Sequence, residues 1–162
     1  TAPASVRSVG EAVMAADRLL ETAKAQADAQ VSERNAREKA ELMRQLGMDE
    51  GENATKASRT MIRQLEEDQK RRSKRALTDA IDRALIDLLA IYRDVLMVQV
   101  GGDGELINTD LSDLVNEIAQ DSTPRQTLAR VDHIETARKR LVSNGNPLLV
   151  LEDMAISLRP QA

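Results

Sequence analysis

Apolar residues in this chain recur every three or four positions over most of its length, a spacing that fits helices and little else. Val9, Val13, Ala16, Leu20 and Ala23 make one such stripe, and Ile62, Leu65, Gln69, Ala76, Ala80, Ala84 and Leu88 a longer one. Leu77, Ile81, Leu85, Leu89 and Tyr92 widen the second stripe toward its C-terminal end. The residue types agree with the period. Ala, Leu, Met, Glu, Gln, Arg and Lys, the strong helix formers, carry much of the chain. Tyr92 is the single aromatic in 162 residues, and strands draw on aromatic and β-branched side chains.

Punctuation between the stripes predicts about five helices, the first two long and the last three short, with no sheet. Ser8 and Glu11 have the spacing of a capping box, so a first helix starts there; it runs to Leu46, buries little in its charged second half, and stops at Gly47. Residues 47–58, with two glycines and three acids, form a loop. The second helix begins between Thr55 and Thr60 and ends at Gly101-Gly102. Asp110 is the expected N-cap of a third helix carrying Leu111, Leu114, Val115 and Ile118. Thr123, Pro124 and Gln126 form a second capping box ahead of Leu128, Val131, Ile134, Ala137 and Leu141. Asn144-Gly145 closes that helix, and Asn146-Pro147 opens the last, which runs to Pro160. In domain terms, residues 1–58 read as a loosely attached helix and loop, and 59–160 as the main helical domain.

Several classes of chemistry find no support. Without cysteine the chain has neither disulfides nor thiolate ligands, and a reducing, cytoplasmic compartment is expected. His133, the sole histidine, has no metal-ligand spacing around it and reads as a surface residue. The acidic loop Asp49-Glu50-Gly51-Glu52-Asn53 has glycine where a calcium loop needs its second ligand. GGDGE at 101–105 matches no phosphate-binding loop. No catalytic, cofactor-binding or metal-binding residue is expected, and no apolar run approaches the roughly 18 residues that span a membrane. Opening on Thr1 rather than Met, the chain reads as a piece of a longer protein.

The one strongly charged motif is EEDQKRRSKRAL, residues 66–77, in a chain of formal net charge -4. Lys70, Arg71, Arg72, Lys74 and Arg75 are candidates for weak DNA contact. Against that stand three acids one turn earlier: Glu66 to Lys70, Glu67 to Arg71 and Asp68 to Arg72 are i,i+4 pairs of the favourable orientation, with Arg75–Asp79 and Asp79–Arg83 beyond them. A locally neutralised, solvated helix face is therefore expected before a phosphate grip. A helical DNA-binding protein acting through this run is the alternative, and a coiled-coil homodimer of the first two helices a third.

From the basic run onward the sequence resembles a known family. EEDQKRRSKRALTDAIDRALIDLLAIYRDVLMVQVG (66–101), LINTDLSDLV (106–115) and the closing pair TPRQTLARVDHIETARKRLVSNGNPLLVLEDMAISLR (123–159) are similar to the C-terminal region of the delta-prime subunit of the bacterial DNA polymerase III clamp loader, in its actinobacterial form. The carrying elements are the basic run, Tyr92-Arg93-Asp94 and Asn146-Pro147-Leu148; the last also occurs in the related gamma/tau subunits, whose collar is a further alternative. The resemblance implies a non-catalytic helical collar that assembles with gamma/tau and delta subunits to load the sliding clamp in DNA replication. The ATPase-type and lid modules of full-length members have no counterpart here. It implies contact with DNA that is indirect or weak, no membrane and no cofactor, and an interface that includes Tyr92, Arg93, Asn146, Pro147 and Leu148. Tyr92 anchors such an interface if exposed and fills the core if buried; the sequence leaves both open.

Overall fold

The computed structural model describes residues 9–47 and 55–160. Ser8, with its half of the first capping box, and the acidic loop at 49–53 lie outside the described residues. Helix α1 spans Val9–Gln45 and α2 spans Lys56–Gln99. A single 3-10 turn, Thr109–Leu111, leads into α3 (Ser112–Asp121), followed by α4 (Pro124–Val142) and α5 (Pro147–Ser157). The fold is all-α, with no strand among the described residues and with the two long and three short helices that the periodicity predicts.

The helix ends show why the boundaries fall where they do. Gly101 adopts φ +68, the Gly102 N–H donates to the Met97 carbonyl at 2.9 Å and the Gly101 N–H to that of Val98 at 3.2 Å. This Schellman pattern satisfies carbonyls that α2 would otherwise leave bare. The same pattern ends α4: Asn144 has φ +63, the Gly145 N–H reaches the Arg140 carbonyl at 2.8 Å, and the Asn144 N–H reaches that of Leu141 at 3.2 Å. Gly145 is required by close approach, since a Cβ there would lie 2.8 Å from the Arg140 carbonyl oxygen and 2.9 Å from a Val150 methyl. At the start of α4 the capping box is complete: the Gln126 N–H donates to Thr123 Oγ1 at 3.2 Å and the Thr123 N–H to Gln126 Oε1 at 2.9 Å. Asn146 caps α5 by accepting from the Leu149 N–H at 3.2 Å, with Pro147 at the first helical position.

The start of α3 differs from expectation. Asp110 does not cap it; the residue sits inside the 3-10 turn, and α3 begins at Ser112 behind Leu111, without a side-chain cap. The cause is upstream. Asn108 is held by Asp94, and the chain leaving that anchor tightens into an i→i+3 bond from the Leu111 N–H to the Asn108 carbonyl at 3.0 Å.

The chain forms two compact units, divided within α1 and α2. One holds the residues up to Thr22 and from Ile81 onward. Its buried apolar side chains are Ala12, Ala16 and Leu20 from α1, Ile81, Leu85, Tyr92 and Val95 from α2, Val115 from α3, Ile134, Ala137 and Leu141 from α4, and Val150, Leu151, Met154 and Ala155 from α5. The other, Ala23–Ala80, is an antiparallel pairing of the rest of α1 with the start of α2. It buries only small side chains, with Ala27, Val31 and Ala76 clustered and Leu77 packed on them. Alanine at i and i+4 lets two backbones approach closely but removes little apolar area from water.

Candidate functional site

Within the aliphatic run LLAIYRDVLMVQV (88–100) only Arg93 and Asp94 are charged, and the structure gives them unequal roles. Asp94 is fully buried. Its Oδ1 accepts the Ile107 N–H at 2.9 Å and Arg93 Nη1 at 2.9 Å; its Oδ2 accepts the Asn108 N–H at 2.8 Å and Asn108 Nδ2 at 3.0 Å. Burial by itself would raise the carboxyl's pKa, but the Ile107 and Asn108 N–H groups, the Asn108 amide and Arg93 together outweigh it, and the net shift is downward. One ionised side chain thus pins the loop after α2. Arg93 also donates to the Glu105 carbonyl at 3.1 Å, closing the same loop from outside.

A second polar tie stands one turn further along α2. Gln99 Nε2 donates to the Ser122 carbonyl at 2.9 Å, to Ser122 Oγ at 3.1 Å and to the Ala119 carbonyl at 3.3 Å, while its Oε1 accepts from the buried Thr127 hydroxyl at 2.8 Å. Both ends of the amide are used, so the α3–α4 junction is held to α2 in one orientation. Arg138 of α4 bonds Asp82 of α2 at 2.7 and 3.3 Å, which raises its already high pKa. Arg140 joins Asp153 of α5 at 2.6 Å.

Of the residues singled out from sequence, Tyr92 is buried, so in this chain it fills the core. Burial raises its phenol pKa, against a smaller opposing pull from Arg130. Arg93 is partly exposed and tied to Asp94. Asn146 and Pro147 begin α5, Leu148 is half-buried, and Leu149 beside it is the exposed apolar residue of that turn. His133 is exposed. Among the described residues no group of His, Cys, Asp or Glu is placed to hold a metal ion, and no helix is long and apolar enough to cross a membrane. The residues that sequence reasoning missed are Asp94, as a buried anchor, and Gln99; the signal for the first was its position inside an otherwise aliphatic run.

The basic run also pairs differently from the i,i+4 scheme. Glu66 bonds Lys39 of α1 at 3.0 Å, not Lys70. Arg72, half-buried, donates to Glu38 at 2.9 Å and to Asn35 Oδ1 at 2.8 Å, not to Asp68. Asp68 instead pairs with Arg71, one residue nearer than expected. The hydrogen bond from Arg72 leads the causes that lower the Glu38 pKa. Gln69 Nε2 completes this side by donating to the Asn35 carbonyl at 2.8 Å. The physical reason is that Glu38 and Asn35 face Arg72 across the helix pair, where a half-shielded guanidinium gains more than it would from a solvated acid on its own helix. Lys70, Lys74 and Arg75 are exposed and form no salt bridge among the described residues.

Opposite the buried face of α2 lies a second apolar one. At about 100° per residue, Ile86, Ala90, Arg93, Met97 and Val100 fall within about 80° of one another, roughly across the helix from Ile81, Leu85, Tyr92 and Val95. Ile86 is 45% and Val100 61% exposed.

Such a molecule is, as a class, an all-helical domain closed by capped turns and buried polar ties, with apolar surface left over on its second helix. The chain belongs to the family described as DNA polymerase III, delta subunit, C terminal, whose model matches residues 52–159. It is also similar to DNA polymerase III subunit delta′ of Bacillus subtilis (strain 168), at 36% identity over 72 residues, a stretch that is 44% of this chain and 22% of that protein. The matched part therefore spans about a fifth of that curated relative. No solved structure gives a significant match. The resemblance to the delta-prime C-terminal region read from the sequence is supported by both matches, and α1 precedes the residues that the family model covers.

Proposed function

We propose that this chain is the collar of a clamp-loader delta-prime subunit, a non-catalytic cytoplasmic module that joins gamma/tau and delta subunits and so takes part in loading the sliding clamp during DNA replication. The collar is taken as residues 59–160, of which the part from Ile81 onward shares a compact unit with the first turns of α1, where Ala12, Ala16 and Leu20 are buried.

The observation that carries the reading is the doubly apolar α2. A helix that faces only its own core and water needs one apolar stripe, yet this one has two, and the outer holds Ile86 and Val100 at 45% and 61% exposure. A surface of that kind is stable when a neighbour's helix covers it. Leu149, 63% exposed beside the Asn146 cap, extends the apolar surface available on α5. Arg93, half-exposed, lies within the α2 stripe and adds a polar contact.

Co-purification of the chain with the gamma/tau and delta C-terminal regions of the same organism tests the assignment. A complex with at least one of them is expected, lost in Ile86→Asp/Val100→Asp while the helical circular dichroism stays unchanged. Absence of binding to both, or binding indifferent to the double substitution, would refute it.

A further inference from the structure

We propose that the outward face of α2 between Lys56 and Lys74 is a contact surface for the phosphate backbone of duplex DNA. Lys56, Arg59, Arg63, Lys70 and Lys74 fall within about 60° of one another on the helix and extend over about 27 Å. Leu65, Gln69, Arg72 and Ala76, which face α1, lie on the opposite side of the same helix, so the stripe points away from its partner. All five bases are exposed, and none forms a salt bridge among the described residues.

The sequence predicts one neutralising pair for a cation of this face, Glu66 with Lys70, and the structure removes it: Glu66 is drawn off to Lys39, leaving Glu67 as the one unpaired acid in the stripe. Residues 56–80 hold eight bases against four acids in a chain of net charge -4, so the excess is local. Five unpaired cations along one helix release counterions when they meet a regular row of phosphates. With Tyr92 as the single aromatic, the chain has no platform on which single-stranded bases would stack, so a duplex backbone fits better than an unpaired strand. No apolar residue lies within the stripe to enter a lipid surface. Contact here is independent of sequence, and the proposal stands apart from the assembly role above.

Fluorescence anisotropy of this chain with a labelled duplex, titrated at several salt concentrations, tests the surface. Five phosphate contacts give a log–log salt slope of about −4.5 and a loss of about 10²–10³-fold in affinity between 50 and 200 mM salt. Arg63→Glu/Lys70→Glu should reduce the magnitude of that slope by about 2. Glu67→Gln should tighten binding, the opposite of what a structural role for this acid would give. A control of equal charge change elsewhere, Arg125→Glu/Lys139→Glu, should leave the slope within experimental error. The proposal falls if the duplex is not bound at 50 mM salt, or if the control pair weakens binding as much as the stripe pair. It falls equally if single strands or anionic vesicles compete better than the duplex.

Discussion

At the scale of single residues, Asp94 does the most with the least warning. Its four acceptor contacts gather two backbone N–H groups, an amide and a guanidinium around a side chain with no solvent exposure. Asp94→Ala leaves the part-buried Ile107 and Asn108 N–H groups without their acceptor, and a donor left unsatisfied away from water costs about 1–3 kcal/mol. A destabilisation of about 3 kcal/mol is therefore expected in urea unfolding; a value under about 1 kcal/mol would show that the loop is held by other means. The acid behaviour follows from the same bonds. Because the folded pKa is lowered, the carboxylate's contribution is complete above the ordinary Asp value of about 4 and disappears as pH falls through the depressed one. Wild type should lose stability across that acid window, and Asp94→Asn, less stable at neutral pH, should show a flatter profile below pH about 4.

At the scale of elements, the boundaries rest on short-range chemistry. Thr123→Ala removes one arm of the α4 capping box and should cost about 1 kcal/mol, read as a drop in thermal midpoint with the fold unchanged. Gly145→Ala acts differently: its Cβ meets a backbone oxygen and the Val150 methyl, so the α4–α5 turn must open. A loss of about 1–3 kcal/mol is expected there. Equal stability to wild type would mean that the turn relaxes freely. These caps were legible because every participant lies within five residues of its partner. Asp110 was misread for the opposite reason, since the geometry before α3 is imposed by Asp94, fourteen residues upstream of Asn108.

At the scale of the whole molecule, burial is unevenly distributed. The unit containing α3 to α5 buries Leu, Ile, Val, Met and Tyr, whereas the helix pair of 23–80 buries mainly Ala with Val31. Apolar burial is worth roughly 0.8 kcal/mol per methylene, so the helix pair has the weaker hold on its backbone amides. Hydrogen exchange should be faster across residues 30–45 and 56–75 than across 128–155 at neutral pH. Equal protection in the two stretches would show that the helix pair opens only with global unfolding. Its cross-helix ion pairs, Arg72–Glu38 and Lys39–Glu66, do not change that ranking, because solvated pairs contribute little.

The amino-acid order alone determined the helix count, their approximate ends, the all-α class and the family resemblance. Period and capping are local properties, and a helical period survives whatever the helix packs against. Tertiary structure decided which charge meets which, that Asp94 is an anchor rather than a solvated acid, and that Tyr92 fills the core. Those outcomes depend on groups brought together from thirteen to fifty-six residues apart, as in Asp94–Ile107 and Arg138–Asp82. A carboxylate on a helix has one spacing to its own neighbours but many possible partners across space, and only the folded backbone selects among them.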